Sequence, residues 1–316
     1  MKIDLDPAFA WPYHNLGLVY EQRAEYETAI PYYRQALDRH HQPLDAATSW
    51  YNLGNVYLAL ERYPEATEAF SKATELNPGN ALAWDSLGES YRAVERQAEA
   101  EAAYRRAIQL DPTFAWPYHN LALVQAEQQQ YEAALSLYRQ AIERHGSDQD
   151  RAVSWNNLGK VYYALGHRAE AMAAYEQAMK LDPAYAWPYN NLGVVYANQG
   201  DYEAALTLYR QAIARHNLDR EEAVSWDNLA NVLTSLGRYE EAITAYRQAV
   251  DLHPAYVIAW NSLGNIYQGV ARYPEAIAAY QQALKLEPNS ALAWNGLGDV
   301  YRLLGQQPEA AQRRVE

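Results

Sequence analysis

Cysteine is absent from the 316 residues, which excludes disulfides, thiolate metal sites and a cysteine nucleophile. The chain also lacks any run of about 18 consecutive apolar residues, the length that a membrane-spanning helix needs. Its first residues, MKIDLDPAFAW, contain no apolar segment of the kind found in signal peptides. These absences predict a soluble, cytoplasmic protein with no membrane partner.

Positive charge is scarce as well. The 26 Lys and Arg residues face 39 Asp and Glu residues, and the net charge is -13. Proteins that bind nucleic acid need clustered cations to displace counterions from phosphates, so the charge disfavours such a partner and we predict no nucleic acid binding. Apolar residues nevertheless make up 49% of the chain and tyrosine contributes 28 residues, a content that predicts an ordered fold.

A leucine in motifs such as NLG, SLG and NLA recurs along the chain at intervals of 34 or 37 residues. Numbering each repeat so that this leucine is position 7 yields eight complete repeats and a partial ninth. The repeats span residues 10–46, 47–80, 81–114, 115–151, 152–185, 186–222, 223–256, 257–290 and 291–316. We therefore predict that residues 1–316 form one repeat array.

The repeats share small and aromatic residues at fixed positions. Position 8 is Gly or Ala, positions 20 and 27 are Ala, position 24 is Tyr or Phe, and position 32 is Pro in the 34-residue repeats. Positions 4, 7, 8 and 11, and again 20, 24 and 27, have the spacing of one apolar helix face. Gly at position 15 in some repeats suits a turn between the two helices.

This pattern, W-x2-L-G-x2-Y, then A-x3-Y/F-x2-A, then P, closely resembles the tetratricopeptide repeat over nearly the whole chain. The resemblance implies an all-α fold. It implies an α-solenoid in which antiparallel helix pairs stack into a right-handed superhelix, with a concave groove lined by the first helices.

The repeats that begin at Ala10, Ala115 and Ala186 are longer, with 37 residues. They lack the proline at position 32 and carry an Arg-His pair near their end, for example Arg144-His145. Three residues are nearly one helical turn, so we expect the second helix of these repeats to continue for about one more turn.

The long repeats also open with Ala-Trp-Pro-Tyr, which moves the tryptophan from position 4 to position 2. The moved residues are Trp11, Trp116 and Trp187, and the tyrosines that take the buried position 4 are Tyr13, Tyr118 and Tyr189. Two interpretations remain open for the tryptophans. They pack on Phe9, Phe114 or Tyr185 at the preceding joint, or they face the groove as aromatic anchors of a binding surface.

A helix advances about 100° per residue, so positions 2, 5, 6, 9 and 13 of the first helix should face away from the buried stripe and line the groove. Position 6 is asparagine in six repeats: Asn15, Asn52, Asn120, Asn157, Asn191 and Asn228. A carboxamide both donates and accepts hydrogen bonds, so this row could hold the backbone of an extended peptide. The row is similar to the asparagine ladder of O-linked N-acetylglucosamine transferases. The alternative is that the asparagines are solvated or bonded between neighbouring repeats.

Further polar residues are predicted to line the groove at positions 5 and 9. They are His14, His119 and Asn190 at position 5, and Asn55, Lys160, Asn231 and Asn265 at position 9. Equivalent atoms of adjacent repeats lie about a helix diameter apart, too far for ligands around one ion. We therefore predict no metal and no cofactor, with the histidines at repeat ends solvated or capping helix C-termini.

No phosphate-binding loop, catalytic carboxylate pair or nucleophile motif is present in the sequence, so we predict no enzymatic activity. The favoured function is an interaction scaffold for an extended peptide or a partner protein. A second hypothesis is a sensor or regulatory arm of a larger enzyme or signalling ATPase, since IDLDP before Ala10 reads like the tail of another repeat. A third is self-assembly into a homo-oligomer through uncapped solenoid ends.

Overall fold

The structure, a computed structural model, describes residues 9–305, and every regular element in that range is an α-helix. The predicted all-α repeat fold is confirmed. IDLDP, Ala310 and the end of the ninth repeat lie outside the described residues. The chain divides into two compact units, Met1–Val161 and Tyr162–Glu316, and a single array over residues 1–316 stays a prediction.

The first unit contains four pairs of helices and most of a ninth helix. The helices are α1 Trp11–Gln22, α2 Tyr26–Leu37, α3 Pro43–Ala59, α4 Tyr63–Leu76, α5 Ala81–Ala93, α6 Gln97–Leu110, α7 Ala115–Glu127, α8 Tyr131–Arg144 and α9 Asp148–Ala164. The two helices of each of the four pairs pack on each other, and each second helix from α2 to α6 packs on the first helix of the next repeat.

The second unit continues the same alternation. Its helices are α10 Arg168–Leu181, α11 Ala186–Gln199, α12 Tyr202–Ile213, α13 Asp219–Ser235, α14 Tyr239–Leu252, α15 Val257–Gly269, α16 Tyr273–Leu286 and α17 Ala291–Leu303. From α10 to α17 every helix packs on the next one along the chain, so each repeat is stabilised by its neighbours.

The predicted core positions are buried. In the repeat 81–114, Ala100, Tyr104 and Ala107 are fully buried on one face of α6. Gly88, at position 8 of α5, lies against the Tyr104 ring, where an added Cβ would come within 2.6 Å of a ring carbon. The small residue at position 8 therefore lets the ring of position 24 lie directly on the first helix.

Position 15 ends the first helix in a left-handed conformation, as the glycines there predict. Gly200 has φ of 83° and Gly237 has φ of 74°. Non-glycine residues adopt the same conformation in other repeats, for example Glu95 with φ of 61°. The turn geometry is thus set by the repeat, and glycine lowers its conformational cost.

The expectation that long repeats extend their second helix is wrong. α2 ends at position 28, α8 at position 30 and α12 at position 28, whereas α4, α6, α10, α14 and α16 all end at position 30. The additional turn belongs to the next first helix, because α3, α9 and α13 each have 17 residues. Their first turns favour a helix start there: Pro43 is early in α3, and acidic residues such as Asp148 and Asp219 complement the helix dipole.

Candidate functional site

The row of position-6 asparagines is present on the first helices of both units. Asn15 is exposed, and Asn52, Asn120, Asn157, Asn191 and Asn228 are half-buried. At position 9, Asn55 is half-buried, and Lys160, Asn231 and Asn265 are exposed. These side chains reach the surface where the groove lining is predicted, and their role in binding stays a prediction.

Several asparagine amides of this row bond to the preceding repeat. Asn120 Nδ2 donates to Asp85 Oδ1 at 3.1 Å, and Asn228 Nδ2 donates to Asn190 Oδ1 at 3.0 Å. Asn157 Nδ2 lies 3.3 Å from His119 Nε2. In each case the partner is the position-5 side chain, so bonding between neighbouring repeats, one of the two interpretations open from the sequence, describes these residues.

The prediction that position 5 lines the groove is wrong for His14, His119 and Asn190, which are all buried. A helical wheel treats a helix alone, and on that basis position 5 faces outward. In the folded chain the first helix of the next repeat covers it, through its residues at positions 3 and 6.

These contacts form three equivalent clusters where a long repeat meets the next repeat, which we call the long joints. The first consists of Trp11, Tyr13, His14, Arg39, His40, Ser49 and Asn52. The second consists of Trp116, Tyr118, His119, Arg144, His145, Ser154 and Asn157. The third consists of Trp187, Tyr189, Asn190, Arg215, His216, Ser225 and Asn228.

In the second long joint the hydrogen-bond partners define the histidine tautomers. Asn157 Nδ2 can only donate, so His119 Nε2 is the acceptor and the ring proton is on Nδ1. His119 Nδ1 then donates to Ser154 Oγ at 2.7 Å, and Ser154 donates its single proton to His145 Nε2 at 3.0 Å. The first long joint has the same chain, from Asn52 through His14 and Ser49 to His40.

The third long joint runs in the opposite direction because Asn190 replaces the histidine at position 5. Ser225 Oγ donates to Asn190 Oδ1 at 3.1 Å. With the serine proton used, His216 Nε2 must be the donor to Ser225 Oγ, which lies 3.0 Å away. A serine at position 3 can therefore take part in the hydrogen-bond chain whichever way the chain runs.

Burial keeps the central histidines neutral. It lowers the pKa of His119 to about 3, with a further contribution from nearby His145. It lowers the pKa of His14 to about 4, again with a contribution from the neighbouring His40. At neutral pH both rings are uncharged hydrogen-bonding groups. From the sequence, the repeat-end histidines are expected to be solvated or to cap helix C-termini. His145 is 7% exposed and its ring Nε2 bonds to Ser154 Oγ, so solvation is wrong for this residue.

The arginine of each Arg-His pair lies over the tyrosine at position 4. The guanidinium of Arg144 is 4.4 Å from the centre of the Tyr118 ring, and that of Arg215 is 4.2 Å from the Tyr189 ring. Arg144 Nε and the Tyr118 hydroxyl both donate to the carbonyl of Pro112, at 2.9 and 3.2 Å. The arginine thus joins the end of the second helix to the start of the same repeat.

The tryptophans at position 2 stand edge-on against the joint histidines. The Trp116 ring centre is 5.2 Å from that of His119 and 5.0 Å from that of His145. Trp11 contacts His14 and His40 in the same way and remains 41% exposed. Trp116 and Trp187 are half-buried, so all three rings contact the joint and keep part of their surface accessible.

The serines Ser49, Ser154 and Ser225 are the residues that sequence reasoning did not identify. Each is fully buried and connects the two sides of its joint. The signal was the T/V-S-W motif that follows every long repeat. The motif was visible as a repeat feature, but a serine alone does not reveal its bonding partners.

Within residues 9–305, no group of three or more His, Asp or Glu side chains has the arrangement of a metal site. Over the same residues, none of the helices combines the length and the apolar character needed to cross a bilayer.

Helix pairs with this packing define the chain as an α-helical repeat protein. Models of the tetratricopeptide repeat match residues 14–81 and 51–113, 103–136, and 184–255 and 221–286. A model described as a TPR repeat matches 159–200 and 272–312. The chain belongs to the tetratricopeptide repeat family.

Two curated proteins resemble parts of the chain. Anaphase-promoting complex subunit 3 of Schizosaccharomyces pombe is 35% identical over 83 residues, which cover 25% of this chain and 12% of that protein. Protein bimA of Emericella nidulans is 33% identical over 78 residues, covering 25% of this chain and 9% of that protein. The matched segment is thus about a tenth of the length of these relatives.

Two solved structures resemble the fold. The APC/C hetero-tetramer Cut9-Hcn1 has a TM-score of 0.64 at 20% identity, covering 87% of this chain and 52% of that chain. PilF of Pseudomonas aeruginosa has a TM-score of 0.58 at 21% identity, covering 67% of this chain and 94% of that chain. At this identity the likeness shows the fold alone.

Proposed function

We propose that the chain is a non-catalytic interaction module that binds an extended peptide or a partner protein along the exposed face of its first helices. The row of position-6 asparagines supports this most directly. An amide such as that of Asn157 uses one N–H within the protein and keeps further hydrogen-bond capacity. Because the joint already orients the side chain, less conformational entropy is lost when a ligand binds.

The tryptophans of the long joints would add apolar anchors beside this row. A large aromatic ring held by neighbours and partly exposed is the kind of residue in which binding energy concentrates. One relative supports the proposal in part, because anaphase-promoting complex subunit 3 is named as a subunit of a protein assembly.

A library of random 12-residue peptides displayed on phage, selected on the purified chain, tests the proposal. We expect enriched peptides whose affinity falls when Asn15 or Asn157 is changed to Ala. Asn15→Ala is the sharper variant because Asn15 is exposed. Asn289→Ala, at an exposed turn between α16 and α17, is the matched control and should bind as the wild type does. Selection without enrichment, or equal binding by all variants, would contradict the proposal.

A second candidate is that the chain acts as an arm of a larger protein or assembly. The observation that favours it is the length of the two curated relatives, of which the matched segments are 12% and 9%. Purification of the protein from its source cells and mass spectrometry of its partners test this candidate.

Homotypic assembly remains a third proposal, and sedimentation over a wide concentration range tests it.

A further inference from the structure

A cavity of about 340 Å³, with Ile266, Gly269 and Val270 in its lining, lies in the second unit between α13, α14 and α15. Its polar and aromatic lining residues are Asn231, Thr234, Tyr239, Tyr246, Ser262 and Asn265. This volume is near the lower limit of known ligand pockets and suits one side chain of a larger ligand. Neither Lys nor Arg is among the described residues that line it.

Hydrogen bonds within the cavity wall use the protons of two of its hydroxyl groups. The Tyr246 hydroxyl donates to Asn231 Oδ1 at 2.7 Å, and the Thr234 hydroxyl donates to the Ala230 carbonyl at 2.9 Å. A hydroxyl has one proton and two lone pairs, so both oxygens can offer the cavity only acceptor capacity.

A buried carboxylate lies next to this wall. Asn231 Nδ2 donates to Asp227 Oδ2 at 3.1 Å, one helical turn earlier on α13. Asp227 is 4% exposed, and its other oxygen, Oδ1, has no hydrogen-bond partner among the described residues. Asn261 is 7% exposed, and its Oδ1 also lacks a partner there.

The repeat sequence explains why these two acceptors lack donors. Asp227 and Asn261 occupy position 5 of their repeats. In the third long joint the oxygen at position 5 accepts hydrogen bonds from a serine at position 3 and an asparagine at position 6 of the next repeat. After Asp227 these positions are Ala259 and Ser262, and after Asn261 they are Ala293 and Gly296. The alanines and the glycine have no side-chain donor, and Ser262, which lines the cavity, is not bonded to Asp227 Oδ1.

A buried anion without a full set of donors is costly, and burial raises the pKa of Asp227 to about 6. A cationic ligand in the cavity would compensate this charge through Asn231, which lines the cavity and donates to Asp227. Among cationic side chains, the arginine guanidinium has five N–H donors in a planar arrangement and stacks on aromatic rings. Tyr239 lines the cavity and is 48% exposed, so its ring is available for such stacking.

We propose that this cavity binds an arginine side chain of the partner, with the guanidinium against Tyr239 and its N–H groups directed to the side-chain oxygens of Asn231, Thr234 and Tyr246, next to the buried Asp227. The proposal rests on the proposed function, since it assigns a preferred residue to a ligand on the first-helix face. The net charge of -13 favours the approach of a cation.

Titration of the full chain with N-acetyl-L-arginine amide, followed by NMR of the backbone amides of α13 and α15, tests the proposal. We expect saturable shifts with a Kd of about 1 mM, typical of a ligand of this size. N-acetyl-L-citrulline amide has nearly the same shape without the charge, and it should bind about tenfold more weakly. N-acetyl-L-lysine amide should fall between the two, since its ammonium cannot stack as a planar group.

Asp227→Asn should weaken arginine amide binding about tenfold, and Thr234→Val, which removes an acceptor at constant shape, should weaken it as well. The matched control is Asp85→Asn, a buried position-5 acid of the first unit that already accepts from Asn120; it should leave the titration unchanged. Equal binding of citrulline amide, or unchanged binding by both Asp227→Asn and Thr234→Val, would overturn the proposal. Asn15→Ala, which tests peptide binding in the first unit, should not alter this titration, so the two proposals can fail separately.

Discussion

A short repeat and a long repeat of this chain supply different hydrogen-bond donors to the equivalent backbone carbonyl. In the repeat 81–114, Trp84 at position 4 donates its indole N–H to the carbonyl of Pro78 at 3.0 Å. In the repeat 115–151, the Tyr118 hydroxyl and Arg144 Nε donate to the equivalent carbonyl of Pro112. Tyrosine and arginine together thus replace the indole, and the tryptophan is released to position 2.

The comparison shows that the long repeats differ by a coordinated set of substitutions. The moved tryptophan, the tyrosine at position 4, the Arg-His pair and the serine of the next repeat contact one another within a single joint. A change at one of these positions should therefore cost more than the same change in a short repeat, and the loss should depend on its partners.

The largest effect is expected for His119→Ala, which breaks the buried chain of the second long joint. It leaves Ser154 and Asn157 without their partner and creates a cavity, so the free energy of unfolding should fall by about 3 kcal/mol. Urea unfolding measures the loss. His41→Ala, which removes an exposed histidine, should change the stability by less than about 0.5 kcal/mol. Similar losses for the two variants would contradict the network.

A smaller loss of stability is expected when the tyrosine at position 4 of a long repeat is replaced by the tryptophan that the short repeats have there. Tyr118→Trp should cost about 2 kcal/mol, because the larger ring meets the guanidinium of Arg144. Adding Arg144→Leu, the residue type at position 30 of the short repeats, should recover part of that loss. The coupling free energy from a double-mutant cycle checks this. Strictly additive losses would contradict the idea that the tyrosine and the arginine together replace the indole.

His119→Asn should cost only about 1 kcal/mol, since asparagine at position 5 occurs in the third long joint. Ser154 would then donate to the introduced amide oxygen, as Ser225 does to Asn190, and His145 would become the donor to Ser154. Urea unfolding beside His119→Ala measures the difference between the two variants. A loss as large as that of the alanine variant would show that the joint cannot reverse its direction.

The final prediction concerns pH, and its effect grows as the pH falls. The pKa of His119 is lowered from 6.5 to about 3 in the folded chain. As the pH falls, the unfolded chain therefore protonates this histidine before the folded chain does. Its contribution to stability is fully present above pH 6.5 and declines as the pH falls towards 3. The advantage of about 1 kcal/mol of the wild type over His119→Asn should narrow below pH 6.5 and reverse as the pH approaches 5, which unfolding at several pH values checks. A constant difference would argue against a buried neutral ring.

The repeat fold could be predicted because its core positions are local and periodic. Ala100, Tyr104 and Ala107 are spaced along one helix face, and the small residue at position 8 accommodates the ring at position 24. The burial of position 5 could not be predicted from one helix, because the residues that cover it belong to the next repeat. The extended first helices could have been predicted, since Pro43 and the acids near Asp148 and Asp219 are helix-start signals in the sequence.

The central claim is that the first-helix face, with the tryptophans at position 2 of the long repeats, is the binding surface. The peptide affinity of two tryptophan variants tests this claim most directly. With a phage-selected peptide as the ligand, Trp116→Ala should weaken binding about tenfold while the chain stays folded at the assay temperature. Trp84→Ala, at the packed position 4, should lower the thermal stability but leave the affinity of the folded chain unchanged. Equal affinities of Trp116→Ala and the wild type would contradict the claim.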